Sequence, residues 1–454
     1  MASIEFRYEN AMADRVGSDG ITRDDLDSKR GAEAVRAFRA RVESGEVGFP
    51  NLPADKSTAN AIVEFADSLR KQIDDVLIVG IGGSALGPYA LDVAMRGPHP
   101  VQVAHGKSKT NRPRLVVLDN IDPGFIAGAL ANLNPKRTAV CVIAKSGSTA
   151  ETISTFLIVR EWITKAMKKK ARERIIAITG PKKGDLRQIA IEEQYPTFSV
   201  PDNIGGRYSV FCPVGLVPAA LLGFDIHKML RGAAKANEAG WSESLSRNQA
   251  LTSALVHHAL DTQHGKHIEV VYAYSSYLWG SAFWYRQLWA ESLGKRVDRA
   301  GNVVHTGQTP IAALGVTDQH SQSQLYMEGP NDKLITFWEV TRPRVDVKIP
   351  KDFKKYDSAS YLGGKTMGQL FHAERKATAA ALTRVGRPNC LWTLPAVNEE
   401  TIGYFFQTLE FQTAYAGELY GINAFDQPGV ELSKELTYGL MGRKGFEKFA
   451  EGLK

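Results

Sequence analysis

The sequence predicts an α/β protein built from two parallel sheets, each flanked by helices in a three-layer arrangement. Three observations support this class: short apolar runs rich in valine and isoleucine, helical stretches between them, and a second series of the same kind after a break. The chain has 454 residues, of which 43% are hydrophobic and 23% charged. Its length is therefore sufficient for two or three domains and a large core.

The first series of elements follows an N-terminal segment with a helical stretch near residues 24–43 and the connector GFPNLPAD. Four apolar runs then alternate with helical stretches, as expected for strands that are covered on both faces. These runs are residues 76–80, 114–118, 138–144 and 174–179.

The second series repeats this order. It begins with a strand at residues 267–275 and a helix at 281–293, and it continues with strands at 334–340 and 390–394 and helices at 366–384 and 400–420. We place the boundary between the two units near residues 232–244. The predicted organisation is a helical segment at 1–55, a first sheet domain at 56–235, a second at 236–435 and a helical tail at 436–454.

The formal charge of +7 is modest for this length and favours small anionic substrates. The basic run at residues 168–174 ends a predicted helix, where cations complement the helix dipole, and it lacks interleaved aromatic residues. We therefore expect no nucleic-acid partner. The longest apolar stretch, residues 213–224, is too short for a membrane span and contains Pro218, so no membrane association is expected.

Cysteine usage and the N-terminus predict a cytoplasmic location. Three cysteines cannot form a disulfide framework, and Cys141 and Cys390 lie inside strand-like runs typical of buried thiols. The first fifteen residues carry charges throughout and lack the apolar segment of a signal peptide.

The stretch LIVGIGGSALG places four glycines in eleven residues after an apolar strand. Gly80, Gly82 and Ala85 satisfy the loose dinucleotide-binding pattern, but Asp119, the best candidate for a ribose-binding acid, lies well past the usual distance. Ser84 inside the loop indicates a hydroxyl donor. A phosphate-binding loop and a tight strand-to-helix turn without a ligand are both compatible with this stretch.

The stretch AKSGSTAETISTF follows the predicted strand at residues 138–144 and opens a helix. Ser148 and Glu151 have the spacing of a capping box, but helix capping does not require Ser146, Thr149 and Thr152 as well. Hydroxyl groups beside the free N–H groups of a helix N-terminus suit a phosphomonoester dianion. The sequence therefore predicts that the substrate itself carries the phosphate.

Polar residues in apolar surroundings mark the second half of the chain. Arg207 follows two glycines, where a guanidinium could stabilise an oxyanion or form a structural ion pair. Gln287 and Glu291 share one face of an aromatic-rich helix, where the glutamate is either a general base or a solvent-facing residue. His320 is a structural or a catalytic histidine. The ten histidines show no metal-ligand spacing, so no metal is expected.

Six segments in this order resemble the glucose-6-phosphate isomerase family, also called phosphoglucose isomerase, in its bacterial form. The resemblance runs from about Val76 to the C-terminus, and the segments are GIGGS, SGSTAET, DNIGGRYSVFCPVG, QLWAE, TDQH and FDQPGVELSK. It implies two sugar-isomerase (SIS) domains and an enzyme of glycolysis and gluconeogenesis. The implied reaction interconverts glucose 6-phosphate and fructose 6-phosphate through ring opening and a cis-enediolate, without a cofactor.

The resemblance also implies a role for each matching residue. Glu291 would move the proton between C1 and C2, Arg207 would stabilise the enediolate, and His320 and Lys434 would open the sugar ring. The substrate-binding positions would be Gly83, Ser84, Lys145, Ser146, Ser148, Thr149, Thr152, Gly206, Gln287 and Gln427. The family further implies a homodimer in which the histidine at position 320 reaches the site of the partner subunit.

Two other classes stay open at this point. Another sugar-phosphate isomerase, or a sugar-phosphate sensor without catalysis, would keep the phosphate loop; a sensor would not need the four catalytic residues together. A nicotinamide-dependent dehydrogenase would use residues 80–85 for its dinucleotide.

Overall fold

The fold is described from a computed structural model that covers residues 4–98, 112–145, 147 and 149–453. Within these residues, the strands are β1 (Glu5–Arg7), β2 (Asp75–Val79), β3 (Arg114–Leu118), β4 (Thr138–Ala144), β5 (Ile175–Thr179), β6 (Thr197–Ser199), β7 (Ile268–Tyr274), β8 (Lys295–Val297), β9 (Val303–Thr306), β10 (Thr309–Leu314), β11 (Lys333–Val340) and β12 (Asn389–Leu394). The α-helices of the same ranges are α1 (Ala13–Val16), α2 (Ser28–Glu43), α3 (Lys56–Arg70), α4 (Gly83–Arg96), α5 (Pro123–Ala131), α6 (Ala150–Met167), α7 (Asp185–Glu192), α8 (Pro213–Leu221), α9 (Ile226–Gly240), α10 (Gln249–His264), α11 (Trp279–Leu293), α12 (Ser323–Glu328), α13 (Asp357–Ser360), α14 (Met367–Arg384), α15 (Glu399–Leu419) and α16 (Glu431–Leu440).

The first sheet has the order β3-β2-β4-β5-β6, and all neighbouring strands are parallel. Successive side chains enter two different cores: Ile78 and Ile143 belong to one, whereas Val79 and Val142 belong to the other. Both faces are therefore buried, which explains the uninterrupted apolar runs.

The second sheet has the order β1-β12-β11-β7-β10 and is parallel except for β1, which pairs antiparallel with β12. Its strands also alternate between two cores, since Tyr272 and Phe337 lie in one and Val271 and Trp338 in another. The predicted class of two parallel sheets flanked by helices is confirmed.

Helices α4 and α11, which follow β2 and β7, pack directly on each other. A Cβ atom at Gly280 in α11 would lie 3.0 Å from the Cα of Ala90 and 2.9 Å from the Cβ of Val93 in α4. Only a glycine permits this approach. The contact places the helix that carries Glu291 beside the loop that follows β2.

The predicted domain limits stay predictions. Two features of the structure concern the predicted N-terminal segment and the predicted C-terminal tail. The N-terminal segment, predicted as helical, also supplies β1, whose Glu5 pairs with Thr393 of the second sheet. Helix α16 begins before the predicted limit at residue 436. Among the described helices, none is long and apolar enough to cross a membrane.

Candidate active site

The candidate site lies where the strand order of the first sheet reverses. The chain passes from β2 to β3 on one side of β2 and then to β4 on the other. The carboxyl ends of β2 and β4 therefore bound a crevice of the kind in which α/β proteins bind ligands. The glycine-rich loop at residues 80–82 follows β2, and the loop at 145–149 follows β4.

The glycine-rich loop is in backbone contact with the turn that carries Arg207. A Cβ atom at Gly83 would lie 2.2 Å from the carbonyl carbon and oxygen of Gly206. Gly82 has a φ of 59°, and a Cβ atom there would lie 2.8 Å from Nε2 of Gln287. Ser84 is half-buried in the first turn of α4. These glycines are thus required for the close packing of three site segments.

Arg207 is buried, with 3% exposure, and is held by protein acceptors on several sides. Its Nε donates to Ser292 Oγ at 2.8 Å, and its Nη1 donates to Gln427 Oε1 at 2.9 Å. Nη2 donates to the carbonyls of Ala424 and Asp426 at 2.7 and 2.8 Å. A guanidinium has five N–H groups, so these bonds occupy four and leave one on Nη1.

The Glu291 carboxylate faces this remaining donor. Its Oε2 lies 3.5 Å from Arg207 Nη1, and its Oε1 accepts a hydrogen bond from Gln287 Nε2 at 3.1 Å. The side chain is 36% exposed, so the carboxylate is accessible from the crevice. Gln287 Oε1 is buried and has no hydrogen-bond partner among the described residues. The arrangement thus places a base beside a cationic donor, with an unpaired acceptor on the neighbouring Gln287.

Ser292, Tyr208 and Lys295 hold the segments that carry Arg207 and Glu291, and no motif in the sequence singled them out. Ser292 Oγ lies 3.1 Å from the hydroxyl of Tyr208, whose burial raises its pKa to about 12 and keeps it neutral. Lys295 Nζ donates to the carbonyls of Glu291 and Asp426 at 2.6 and 2.8 Å. Ser292 and Lys295 follow Glu291 in the stretch ESLGK, so their proximity in sequence was the one signal available.

Lys145 holds the loop that precedes Arg207. Its Nζ donates to the carbonyls of Asp202 and Ile204 at 2.6 and 2.9 Å. Burial lowers the pKa of this ammonium below its ordinary value. The lysine therefore connects the end of β4 to the Arg207 turn.

The loop that follows β4 leads into α6. The N-cap of this helix lies one residue after Ser148, the position that the capping-box spacing of Ser148 and Glu151 predicts. The helix begins at Ala150, and Thr149, rather than Ser148, is its N-cap residue. The Thr149 side chain accepts no capping hydrogen bond from the first turn, and Thr152 is 3% exposed. Ser146 and Ser148 lie outside the described residues. Gly147, at φ 69°, packs against the N-terminus of α7.

His320 and Lys434 lie apart from this group. His320 is exposed and ends the 3₁₀ turn Thr317–His320, which follows β10 at the edge of the second sheet. Lys434 is 42% exposed and pairs with Glu431 Oε1 at 2.7 Å on its own helix. In the part of the chain that the structure describes, no hydrogen bond or ion pair joins either side chain to Glu291 or Arg207.

The structure thus brings together Gly83, Gly206, Arg207, Gln287, Glu291 and Gln427. Across the described ranges, no three His, Cys, Asp or Glu side chains form a group that could hold a metal ion. The expectation of a reaction without metal or cofactor stays a prediction.

A carboxylate and a fixed guanidinium at the switch point of an α/β fold are suited to proton transfer beside a carbonyl group. Residues 60–444 match the family model described as phosphoglucose isomerase, and the chain belongs to this family. The resemblance predicted from six segments is therefore confirmed.

Relatives align over nearly the whole chain. The chain is 42% identical to the glucose-6-phosphate isomerase of Carboxydothermus hydrogenoformans, with 98% of this chain and 96% of the relative covered. It is 40% identical to the glucose-6-phosphate isomerase of Rubrobacter xylanophilus, with 98% and 100% covered. The similarity therefore extends into the segment before Val76, where the motifs had given no information.

Solved structures also superpose on this chain. A hypothetical protein from Thermus thermophilus, TT0462, superposes with a TM-score of 0.85 at 35% identity and covers 97% of this chain and 100% of its own. The glucose-6-phosphate isomerase of Chlamydia trachomatis superposes with a TM-score of 0.75 at 26% identity, with 85% and 73% covered.

Proposed function

We propose that this chain catalyses the reversible isomerisation of glucose 6-phosphate and fructose 6-phosphate. Its family and its relatives' names support this reaction. The observation that carries the chemistry is the Glu291 carboxylate, which lies 3.5 Å from the guanidinium nitrogen of Arg207 that retains an unused N–H. This pair supplies a base and an oxyanion donor for one substrate carbon and its oxygen.

Glu291 acts as the base in our proposal. The C2 proton of an open-chain aldose is a weak acid, so its removal requires a positioned base and stabilisation of the developing charge. The carboxylate takes this proton, and the electron pair moves through C1–C2 onto the carbonyl oxygen at C1 to give a cis-enediolate. Return of the proton to C1, with transfer of the O2 hydroxyl proton to O1, gives the ketose. The remaining Arg207 N–H stabilises the enediolate oxygen.

The loops at the ends of β2 and β4 bind the phosphate. A phosphomonoester carries about −1.5 to −2 charges at neutral pH, and free N–H groups at a helix N-terminus suit such a dianion. Thr149 and Thr152 occupy the start of α6, and Ser84 occupies the start of α4. Ser146 and Ser148 complete the predicted set. The phosphate would anchor the unreactive end of the sugar while Gln287 and Gln427 orient its hydroxyls.

Ring opening is assigned to His320 and Lys434, in a homodimer with shared sites. Ring opening needs one proton donated to the ring oxygen and one removed from the C1 hydroxyl. The exposed position of His320 suits a residue that serves another subunit. An apolar groove adjoins its turn and includes Val316, Val345 and Met367 in its lining. A second subunit that covers this groove would bury these side chains.

We also infer a cytoplasmic location. All three cysteines are buried and unpaired, which fits a reducing compartment.

The direct test is a coupled assay. The protein, purified from a host strain that lacks its own isomerase and dialysed against EDTA, is incubated with fructose 6-phosphate. The reaction is stopped before the glucose 6-phosphate formed is measured with its dehydrogenase and that enzyme's nicotinamide cofactor. We expect full activity without added metal or nucleotide. Inactivity on fructose 6-phosphate together with activity on another ketose phosphate would assign the chain to a different sugar-phosphate isomerase. Activity that returns only with a divalent ion would exclude the metal-free mechanism.

A further inference from the structure

Lys295 is a buried cation at the end of the helix that carries Glu291. Its side chain is 5% exposed. Its ammonium donates to the Glu291 carbonyl at 2.6 Å and to the Asp426 carbonyl at 2.8 Å, and the Asp426 carboxylate lies 3.5 Å away. The last four carbonyls of a helix lack intrahelical partners, and the Glu291 carbonyl is one of them. Lys295 therefore caps α11 at the residue that bears the carboxylate.

The second acceptor of Lys295 also belongs to the Arg207 network. The Asp426 carbonyl accepts a hydrogen bond from Arg207 Nη2 at 2.8 Å as well as the one from Lys295. One carbonyl thus joins the end of α11, the Arg207 turn and the 424–427 segment. The same segment supplies Gln427, which binds Arg207 Nη1.

We propose that Lys295 is a positioning residue of the isomerase, whose ammonium fastens the end of α11 to the 424–427 segment and so fixes the Glu291 carboxylate relative to the Arg207 guanidinium. The inference rests on the isomerase activity proposed above. Because the phosphate loops lie on other segments, loss of this bridge affects the proton-transfer step more than substrate binding. Small displacements of reacting groups reduce rates by up to about 10²-fold.

The test compares Lys295→Met with Lys295→Arg and with a control at a second buried lysine. Lys266 is 1% exposed, and its Nζ donates to the Asn331 carbonyl at 2.6 Å and to Asp19 Oδ1 at 2.8 Å. It precedes β7, and both acceptors of its ammonium lie outside the hydrogen-bond network of Arg207 and Glu291. Lys266→Met therefore removes a similar buried cation without touching the proposed machinery.

After correction for the folded fraction, we expect Lys295→Met to lower kcat by roughly tenfold or more with KM changed by less than about threefold. Exchange of the substrate C2 proton with solvent deuterium is expected to slow by the same factor. Lys295→Arg, which keeps the charge and several donors, is expected to recover part of kcat. Lys266→Met is expected to lower stability but keep the wild-type kcat.

An unchanged kcat in Lys295→Met, a change in KM alone, or an equal loss in Lys266→Met would overturn the proposal. If Lys295→Met does not fold, Lys295→Gln is measured in its place; if neither folds, Lys295 is a folding residue and the proposal fails. An inactive wild-type protein would instead refute the proposed function, so the two failures are distinguishable.

Discussion

At the residue scale, four of the five N–H groups of the Arg207 guanidinium donate hydrogen bonds to acceptors within the protein. Bonds to Ser292, Gln427, Ala424 and Asp426 fix the guanidinium plane before any substrate arrives. A donor that is already oriented stabilises a developing charge without reorganisation during the reaction. Since Lys would offer no such planar set of donors, we regard arginine as specifically required at this position.

Replacement of Glu291 tests the proposed base. Glu291→Gln keeps the shape and can still accept from Gln287, but the amide cannot take up the C2 proton. We expect kcat to fall by about 10²- to 10⁴-fold with KM nearly unchanged. Steady-state kinetics and deuterium exchange at C2, followed by NMR, measure the effect. Glu161→Gln, which alters an exposed ion pair with Lys165, is the control and should retain activity. Wild-type exchange in Glu291→Gln would show that another group is the base.

The sequence could indicate the site's side chains but not their supports. Motifs singled out Arg207, Glu291 and Gln427, because specific side-chain chemistry leaves a pattern in the sequence. The acceptors that orient Arg207 include two main-chain carbonyls, 217 and 219 positions away. Any residue type supplies a carbonyl, so such contacts have no sequence signal. For the same reason, the hydrogen bonds of Lys295 to the main-chain carbonyls of Glu291 and Asp426 could not be predicted from the sequence.

At the element scale, the strands that are buried on both faces were predictable. Of the edge strands, β3 was predicted, but β1, β6 and β10 were not. The run at residues 138–144 matches β4, because continuous apolar sequence follows directly from burial on both faces. β1 has three residues and pairs with β12, more than 380 positions away. The pairing of such strands with distant partners, rather than local propensity, decides their structure.

The contact between α4 and the Arg207 turn gives a prediction for Gly83. Gly83→Ala would place a methyl group 2.2 Å from main-chain atoms of Gly206, and main chain cannot move aside as a flexible side chain can. We expect a loss of stability of about 1–3 kcal/mol and a lower kcat, because the turn carries Arg207.

The matched control is Gly128→Ala in α5, where a Cβ atom meets nothing within 4 Å. An alanine there should leave kcat unchanged and raise stability by up to about 1 kcal/mol. Urea unfolding and kinetics of both variants measure the difference. Equal stability of Gly83→Ala and the wild type would show that the two segments separate easily.

His258 of α10, which lies beside Arg30 of α2, gives a prediction for how the stability of the protein depends on pH. His258 Nε2 lies 3.4 Å from Arg30 Nη2, and the ring contacts Tyr420 at 4.8 Å between centroids. Burial and, to a smaller extent, the charge of Arg30 lower the pKa of His258 to about 4. The folded protein therefore binds this proton less readily than the unfolded chain. The contribution of neutral His258 to the free energy of unfolding is therefore present above pH 6.5 and is lost as the pH falls to about 4.

Between pH 6.5 and pH 4, the free energy of unfolding should fall by about 3 kcal/mol less in His258→Gln than in the wild type. Urea unfolding at pH 7.5 and pH 4.5 measures the change for each protein. Parallel losses in the two proteins would show that other groups control acid sensitivity.

At the scale of the whole molecule, the site depends on parts of the chain from both sheets. Gly83 and Arg207 belong to segments around the first sheet, whereas Glu291 follows β7 of the second and Gln427 lies beyond α15. The packing of α4 on α11 joins these halves. His320 follows β10, an edge strand of the second sheet, and among the described residues no hydrogen bond or ion pair joins it to Glu291 or Arg207. A ring-opening role for His320 therefore requires a second subunit in our proposal.

Subunit exchange tests this arrangement. Glu291→Gln and His320→Ala homodimers should each be nearly inactive. If each site takes Glu291 from one subunit and His320 from the other, a mixed dimer has one site with both substitutions and one with neither. Random exchange of equal amounts in a two-fold dimer should then restore roughly a quarter of wild-type activity. If both residues came from the same subunit, every site would retain one substitution and mixing would restore nothing. Native mass spectrometry establishes that mixed dimers have formed, and such dimers without recovered activity would refute the shared site while leaving the isomerase function intact.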